Sequence, residues 1–222
     1  MNPTTTPQTV APGAVTVYCA SSGALEPHFA EAARVLGRHI AEYGLTMVYG
    51  GGSIGLMGET ARSCKAAGGR VVGIITETLD SLEHGWRGCD ELQVVDSMRE
   101  RRRRMMDLGD AFVVLPGGMG TYEELFEVMV GRQIGEHVKP IVIVNHNRYY
   151  DPLIAMIDHG ITHKFIRPAI REALVVVDDC AEALAALQAH QPPANDPAEF
   201  LFLPADVAAA TPRADMELAL AS

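Results

Sequence analysis

Short, continuously apolar runs alternate along this chain with longer segments whose apolar residues recur every three or four positions. The runs are typical of strands, and the periodic segments are typical of amphipathic helices. The predicted strands cover residues 15–19, 45–49, 70–75, 92–95, 111–115, 140–144 and 174–177. The predicted helices lie near residues 29–40, 54–67, 97–108, 125–130, 149–162 and 178–189, and residues 76–90 are predicted to be irregular. Because strands that are apolar throughout are covered on both faces, the pattern predicts an α/β fold with a single doubly wound parallel sheet.

The two ends of the chain differ in composition from its middle. Residues 1–13 are rich in Pro and Thr and are predicted to form a flexible N-terminal arm. Residues 14–190 are predicted to form the α/β domain, for which the 48% hydrophobic content of the 222-residue chain is sufficient. Residues 191–222 are rich in Ala, Pro and Asp and are predicted to be a loosely held C-terminal tail, with one apolar patch at 200–203 that could dock.

The charge balance and the cysteine usage exclude several classes of function. A formal net charge of −10 argues against a general binder of nucleic acid or of membrane surfaces. The N-terminus lacks the basic start and apolar core of a signal peptide, and no apolar run is long enough to span a bilayer. The cysteines are widely separated, and the eight histidines show no metal-ligand spacing. We therefore expect a cytoplasmic protein that uses no metal and no cofactor. The four cysteines are Cys19, Cys64, Cys89 and Cys180.

The candidate chemistry centres on the turn that follows the apolar run 111–115. Gly117, Gly118 and Gly120 stand just before Thr121 in this turn. Glycines allow a backbone to approach a ligand closely, and Thr121 is expected to cap the next helix. The start of a helix offers unpaired N–H groups and a positive dipole end. The turn therefore predicts a phosphate site, although the same glycines would also serve in a turn without any ligand.

Two carboxylates, Glu123 and Glu124, follow the glycines and are predicted to lie in the first helical turn. A carboxylate beside an anion site is electrostatically unfavourable unless it has a separate task. We assign to it chemistry on the group that is attached to the phosphate. The alternative is that Glu124 only provides a favourable charge at the start of a helix.

Two further small-residue turns, residues 20–23 and 50–58, also follow predicted strands. In a doubly wound sheet, ligands bind at the carboxyl ends of the strands. Neither turn carries the dinucleotide fingerprint, and no NTPase P-loop is present, so a mononucleotide is the favoured ligand. Gly51 and Gly52 either contact that ligand or only form a tight turn.

These motifs together resemble the LOG ("Lonely Guy") family of cytokinin-activating phosphoribohydrolases, whose members were formerly mislabelled as lysine decarboxylases. A second family signature, a basic pair in a Met-led helix, is matched by Met98, Arg101 and Arg102. The chain departs from the usual family pattern at Arg99, where His is common, and at Arg102, where Lys is common. The resemblance covers about residues 15–188. The main family signature is present as Pro116, Gly117, Gly118, Gly120, Thr121 and Glu124.

The resemblance implies a modified Rossmann fold in which residues 14–190 form a nucleotide-binding catalytic domain. The implied reaction is hydrolysis of the N-glycosidic bond of a nucleoside 5′-monophosphate, either an N-prenyl-adenine riboside monophosphate or AMP. A homodimer is also implied. The implied catalytic pair is Arg101 and Glu124. The expected substrate-binding residues are Ser21, Gly51, Gly52, Glu83, Met98, Arg102, Gly117, Gly118, Met119, Gly120, Thr121 and Glu123.

Each of these roles has a competing interpretation. Glu124 is expected to stabilise positive charge on the ribose and to orient water, and Glu123 to hold ribose hydroxyls. Arg101 either stabilises the leaving base or grips the phosphate, since a guanidinium stays protonated and is no acid. A run of four arginines is otherwise typical of a solvated helix face, and Glu83 and Trp86 are otherwise a surface acid and a loop anchor. The competing function is a carrier or sensor that binds a nucleotide or the molybdenum cofactor without turnover.

Overall fold

The structure is a computed structural model that describes residues 13–190 of the chain. All but the last residue of the predicted arm lies outside the described residues. The predicted tail, 191–222, and its apolar patch also lie outside them.

The described residues form seven strands and eight α-helices. The strands are β1 (Ala14–Tyr18), β2 (Thr46–Tyr49), β3 (Arg70–Thr76), β4 (Glu91–Val95), β5 (Ala111–Val114), β6 (Ile141–Val144) and β7 (Leu174–Val177). The helices are α1 (Pro27–Glu42), α2 (Gly55–Ala66), α3 (Glu77–Glu83), α4 (Met98–Leu108), α5 (Met119–Ile134), α6 (Asp151–Thr162), α7 (Pro168–Glu172) and α8 (Cys180–Ala189). A short 3-10 turn, His146–Arg148, precedes α6.

All seven strands pair in parallel, in the order β4-β3-β2-β1-β5-β6-β7, which confirms the predicted fold class. One face of the sheet packs against α1, α2 and α8, and the other packs against α4, α5, α6 and α7. β1 pairs with β2 on one side and with β5 on the other, so the strand order reverses at β1. A crevice forms at the carboxyl ends of the strands at such a reversal, and ligands bind there in open α/β sheets.

Three helical segments differ from the sequence-based prediction. α3 lies within the stretch that was predicted to be irregular, because Thr76 caps it by accepting a hydrogen bond from the Leu79 amide at 3.3 Å. This stretch has few apolar residues, so hydrophobic periodicity did not reveal the helix. The short helix α7 was also not predicted. α5 begins at Met119, inside the glycine-rich segment that was predicted to be a turn.

Within residues 13–190, no helix has both the length and the apolar character that crossing a membrane requires.

Candidate active site

A cleft of about 310 Å³ opens at the carboxyl edge of the sheet, between the turn after β1 and the start of α5. α4 closes one side of it and contributes Met98 and Arg101. The cleft therefore lies where the reversal of strand order predicts a ligand site. Its lining residues are Cys19, Ala20, Ser21, Ser22, Met57, Leu79, Met98, Arg101, Gly118, Met119, Gly120, Thr121 and Glu124.

The start of α5 presents unpaired backbone donors to this cleft. Gly118 is the N-cap residue, no side chain caps the helix, and the Tyr122 amide donates to the Gly118 carbonyl at 3.0 Å. The amides before Tyr122 in the helix therefore have no intrahelical acceptor. A Cβ built on Gly118 or Gly120 would meet no atom within 4 Å, so the backbone here borders open space. Such a helix start suits an anion.

The role predicted for Thr121 as the helix cap is wrong. α5 starts two residues before Thr121. The Thr121 side chain does not cap the helix but is buried against Gly117. A Cβ on Gly117 would lie 2.0 Å from the Thr121 hydroxyl oxygen, so this position requires glycine. Because the helix begins earlier than predicted, Glu123 and Glu124 lie beyond its first turn, which holds no acidic residue.

Three tyrosines hold the glycine-rich turn in place from behind. The Tyr150 hydroxyl donates to the Leu115 carbonyl at 2.7 Å, and the Tyr149 hydroxyl donates to the Gly117 carbonyl at 2.6 Å. The Tyr122 hydroxyl donates in turn to the Tyr149 oxygen at 3.2 Å. Burial raises the pKa of Tyr149 to about 12, so it remains a hydrogen-bond donor at neutral pH. The turn therefore has its carbonyls fixed before any ligand arrives.

Arg101 is buried at the base of the cleft, with 5% of its surface exposed. Ser97 caps α4 by accepting from the Glu100 amide at 3.2 Å, and the helix directs Arg101 inward. The Arg101 guanidinium donates to the carbonyls of Ile74 and Gly50, at 3.0 and 3.2 Å. These bonds fix the guanidinium plane. The interpretation of the arginine run as a solvated face is therefore wrong for Arg101.

Gly50 leaves the space that Arg101 occupies. A Cβ at position 50 would lie 2.0 Å from the Arg101 Nη2 atom. Position 50, directly after β2, therefore has no room for a side chain. The strand end accommodates a guanidinium from α4.

Glu124 faces Arg101 inside the cleft and is 8% exposed. Its Oε1 atom accepts a hydrogen bond from Arg101 Nη1 at 3.2 Å. Burial, and then the charge of Glu124, raises the pKa of the nearby Cys19 thiol far above its ordinary value, so this thiol stays protonated. A protonated thiol is a poor nucleophile. Besides Cys19, the ionisable side chains among the lining residues are the Glu124 carboxylate and the Arg101 guanidinium.

Several residues predicted to contact substrate do not line the cleft. The Arg102 guanidinium pairs with Glu123 at 2.9 Å and with Glu127 at 3.0 Å, alongside the cleft wall. Gly51 has a φ of +78° and packs against the side chains of β3 and β4, while Gly52 forms a β-bridge with Gly85. These contacts give both glycines a role in the geometry of the turn.

The segment that follows β3 contributes to the site a residue that nothing in the sequence singled out. Leu79, on α3, lines the cleft. Glu83 is the last residue of α3, and its side chain lies outside the part of the structure that is described. Trp86 packs against the core and donates its backbone N–H to the Gly51 carbonyl at 2.8 Å, as expected for a loop anchor. Met57, on α2, also lines the cleft. It was not predicted, because nothing in the sequence marks an apolar helical residue as facing a cleft.

No group of three or more His, Cys, Asp or Glu side chains within residues 13–190 is arranged to hold a metal ion.

Comparisons with known proteins place this site in a family context. A family model described as "Possible lysine decarboxylase" matches residues 57–187. The chain is 42% identical over 178 residues to a cytokinin riboside 5′-monophosphate phosphoribohydrolase of Rhodococcoides fascians, covering 80% of this chain and 90% of the relative. A phosphoribohydrolase of the same description from Arabidopsis thaliana is 37% identical over 178 residues, covering 80% of this chain and 82% of the relative.

Solved structures share the fold at lower identity. The molybdenum cofactor binding protein of Rippkaea orientalis superposes with a TM-score of 0.61 at 17% identity, covering 78% of this chain and 94% of that one. The molybdenum cofactor carrier protein of Chlamydomonas reinhardtii gives a TM-score of 0.60 at 21% identity, with the same coverage. At these identities the likeness shows the fold alone.

Proposed function

We propose, because this chain belongs to the LOG family of phosphoribohydrolases, that it hydrolyses the N-glycosidic bond of a nucleoside 5′-monophosphate to free base and ribose 5-phosphate. The relatives are named for cytokinin riboside 5′-monophosphates, so N-prenyl-adenine nucleotides and AMP are the substrates to test first. One observation carries the proposal: a buried carboxylate, Glu124, lies against the Arg101 guanidinium in the same cleft as an open helix N-terminus.

The start of α5 would hold the 5′-phosphate. The amides after Gly118 lack helical acceptors, and the positive end of the helix dipole favours the anion. Gly118 and Gly120 leave room for phosphate oxygens against the backbone. Ser21, which lines the cleft from the turn after β1, would contact the same group.

Glu124 would act at the anomeric carbon. Cleavage of a ribosyl–base bond builds positive charge on the sugar, and a carboxylate at that position stabilises it and orients the attacking water. In a buried cleft this electrostatic effect is stronger than in water. Arg101 acts first as a positioning residue, since its bonds to two fixed carbonyls determine where Glu124 lies. Because it also lines the cleft, its positive charge is available to the leaving base.

The base would lie against the apolar part of the cleft wall, formed by Met57, Leu79 and Met98. The flexible, unbranched thioether side chains of the two methionines adapt to varied apolar shapes. Such a wall suits a purine with an apolar substituent better than it suits a charged ligand. No lysine lines the cleft within the described residues, so the structure offers no group for the Schiff base that pyridoxal-dependent decarboxylation requires.

Incubation with AMP and with prenylated AMP tests the proposal directly. We expect free base and ribose 5-phosphate in equal amounts, measured by chromatography. If both nucleotides bind tightly and neither releases base, the protein is a carrier or a sensor, the function that competes with hydrolysis. A pure binder has no need of the buried Arg101–Glu124 pair.

The 5′-phosphate should supply much of the catalytic efficiency. We expect kcat/KM for adenosine to be at least about 100-fold lower than for AMP, because charge-assisted bonds to the start of α5 would be lost. Steady-state release of adenine measures both values. Ribose 5-phosphate should also inhibit, whereas ribose should not. Equal efficiency for adenosine and AMP would contradict a phosphate site at Gly118.

We also infer a homodimer. Met119, which is 81% exposed, and Val130 lie on α5, and Met98 lies on α4, so exposed apolar side chains occur on the two helices that carry the catalytic pair. Light scattering should give about twice the 23.9 kDa mass of one chain. Val130→Arg should shift the mass toward one chain. The matched change Phe165→Arg, at an exposed residue between α6 and α7, should not. A wild-type mass of one chain would refute the inference.

A further inference from the structure

A second, smaller cavity of about 190 Å³ adjoins the cleft along the glycine-rich turn, which lines it with residues 116–118. Its walls are mainly apolar and are formed by Leu25, Phe29, Pro116 and the ring of Tyr149. Ala20, Ser22 and Gly118 line both cavities, so the two are contiguous at the start of α5. None of the roles assigned above uses this space.

The walls of the second cavity are held firmly. The Phe29 ring meets the Tyr149 ring edge-on, with centroids 6.1 Å apart, and the His146 ring edge-on at 5.8 Å. The Tyr149 hydroxyl is tied to the Gly117 carbonyl. The chain reaches Tyr149 through Asn147 and Arg148, whose φ angles of 53° and 59° lie in the left-handed region, which Asn adopts readily but which is costly for Arg148. A strained backbone of this kind persists only where its surroundings fix it.

The direction of a bound nucleotide follows from the positions of Gly118 and Glu124. Glu124 is six positions after Gly118, the N-cap of α5, which is a rise of about 9 Å along the helix axis. With the phosphate at the helix start and the anomeric carbon near Glu124, the sugar and base lie on the Arg101 side. The second cavity then lies beyond the phosphate, so only a group attached to a phosphate oxygen would enter it.

We propose that this second cavity is a subsite for a planar, mainly apolar ring carried on the 5′-phosphate, so that the protein binds nucleoside 5′-phosphodiesters as well as monophosphates. This inference rests on the function proposed above. A volume of about 190 Å³ is too small for a whole additional nucleotide but suits a single ring system. Phe29 and Tyr149 offer a ring the edge and face contacts that aromatic groups prefer.

Two adenosine phosphodiesters that differ only in the ester group test the subsite. Adenosine 5′-phenyl phosphate and adenosine 5′-methyl phosphate carry the same charge, so the ratio of their dissociation constants isolates the ring. Calorimetry on the whole wild-type protein should show the phenyl ester binding about tenfold more tightly. A ratio near one would overturn the subsite.

Variants of the cavity wall show where the ring binds. Leu25→Ala and Phe29→Ala should each bring the ratio of the dissociation constants of the phenyl and methyl esters toward one. Leu25 is partly exposed, so the fold should tolerate its truncation. Phe165→Ala removes an equal ring from an exposed turn and should leave the ratio unchanged. A ratio that persists in both wall variants would place the ring elsewhere and overturn the inference.

The outcomes also separate this inference from the proposed function. If AMP is bound and hydrolysed while the two esters bind equally, only the subsite fails. If the phenyl ester binds more tightly through the Leu25 and Phe29 wall while AMP is never hydrolysed, only the hydrolase proposal fails.

Discussion

Glu124→Gln is expected to lower kcat by about 10³-fold or more while nucleotide affinity stays within a few-fold of the wild-type value. Glutamine has the same shape, and its amide oxygen can still accept from Arg101 Nη1, which now donates to Glu124 at 3.2 Å. Only the negative charge is lost, and with it the stabilisation of the ribosyl cation. Single-turnover release of base measures kcat, and calorimetry with AMP measures affinity.

The neighbouring residue supplies a matched control. Glu123 is one position away on α5, but its carboxylate is largely exposed and pairs with Arg102 outside the cleft. Glu123→Gln should therefore retain most of the activity. A fully active Glu124→Gln variant would remove the carboxylate from the mechanism, and equal losses in both variants would point to a general electrostatic effect.

Arg101→Ala is expected to be at least as damaging to turnover and also to destabilise the fold. The substitution leaves the Ile74 and Gly50 carbonyls without their donor and removes the charge that neutralises Glu124. Breaking a buried ion pair from one side costs about 3–5 kcal/mol of unfolding free energy. Denaturant unfolding and AMP hydrolysis measure the two effects separately.

A double variant distinguishes the two effects of Arg101. Arg101→Met combined with Glu124→Gln removes both charges together, so much of the lost stability should return, while activity should not. If Arg101→Ala keeps normal kinetics, the basic role passes to another arginine of α4. If the double variant is as unstable as the single one, the carbonyl contacts outweigh the ion pair.

The sheet was predictable because its strands are mainly apolar, several of them throughout, and their number and order of appearance follow directly from that pattern. α3 was not predictable, since its start depends on a single hydrogen bond, from the Leu79 amide to the Thr76 hydroxyl, rather than on an apolar face. The start of α5 was placed too late, because glycines at 118 and 120 are typical of turns and only the fold shows that Gly120 is helical.

The site was predictable in part. The glycine-rich turn and the carboxylates that follow it were predicted from the residues themselves. The choice of Arg101 and its pairing with Glu124 came from the family resemblance, because physical reasoning alone left each arginine of α4 equally eligible. The position of each arginine around the helix axis determines which one lines the cleft. Arg101 points inward, while Arg102 points toward Glu123. Tyr149 could not be predicted, because its position depends on left-handed backbone at Asn147 and Arg148 that no sequence pattern marks.

The three acceptors of the Arg101 guanidinium lie 51, 27 and 23 residues away along the chain, at Gly50, Ile74 and Glu124. A refolding chain that has formed its local helices still lacks this arrangement, because β2, β3 and α5 must first dock around α4. Assembling contacts between segments this far apart in sequence is slower than forming a helix, because the loop-closure entropy is lost before the non-local contacts compensate for it. Regain of activity after dilution from denaturant therefore reports completion of the tertiary structure, later than the recovery of helical signal.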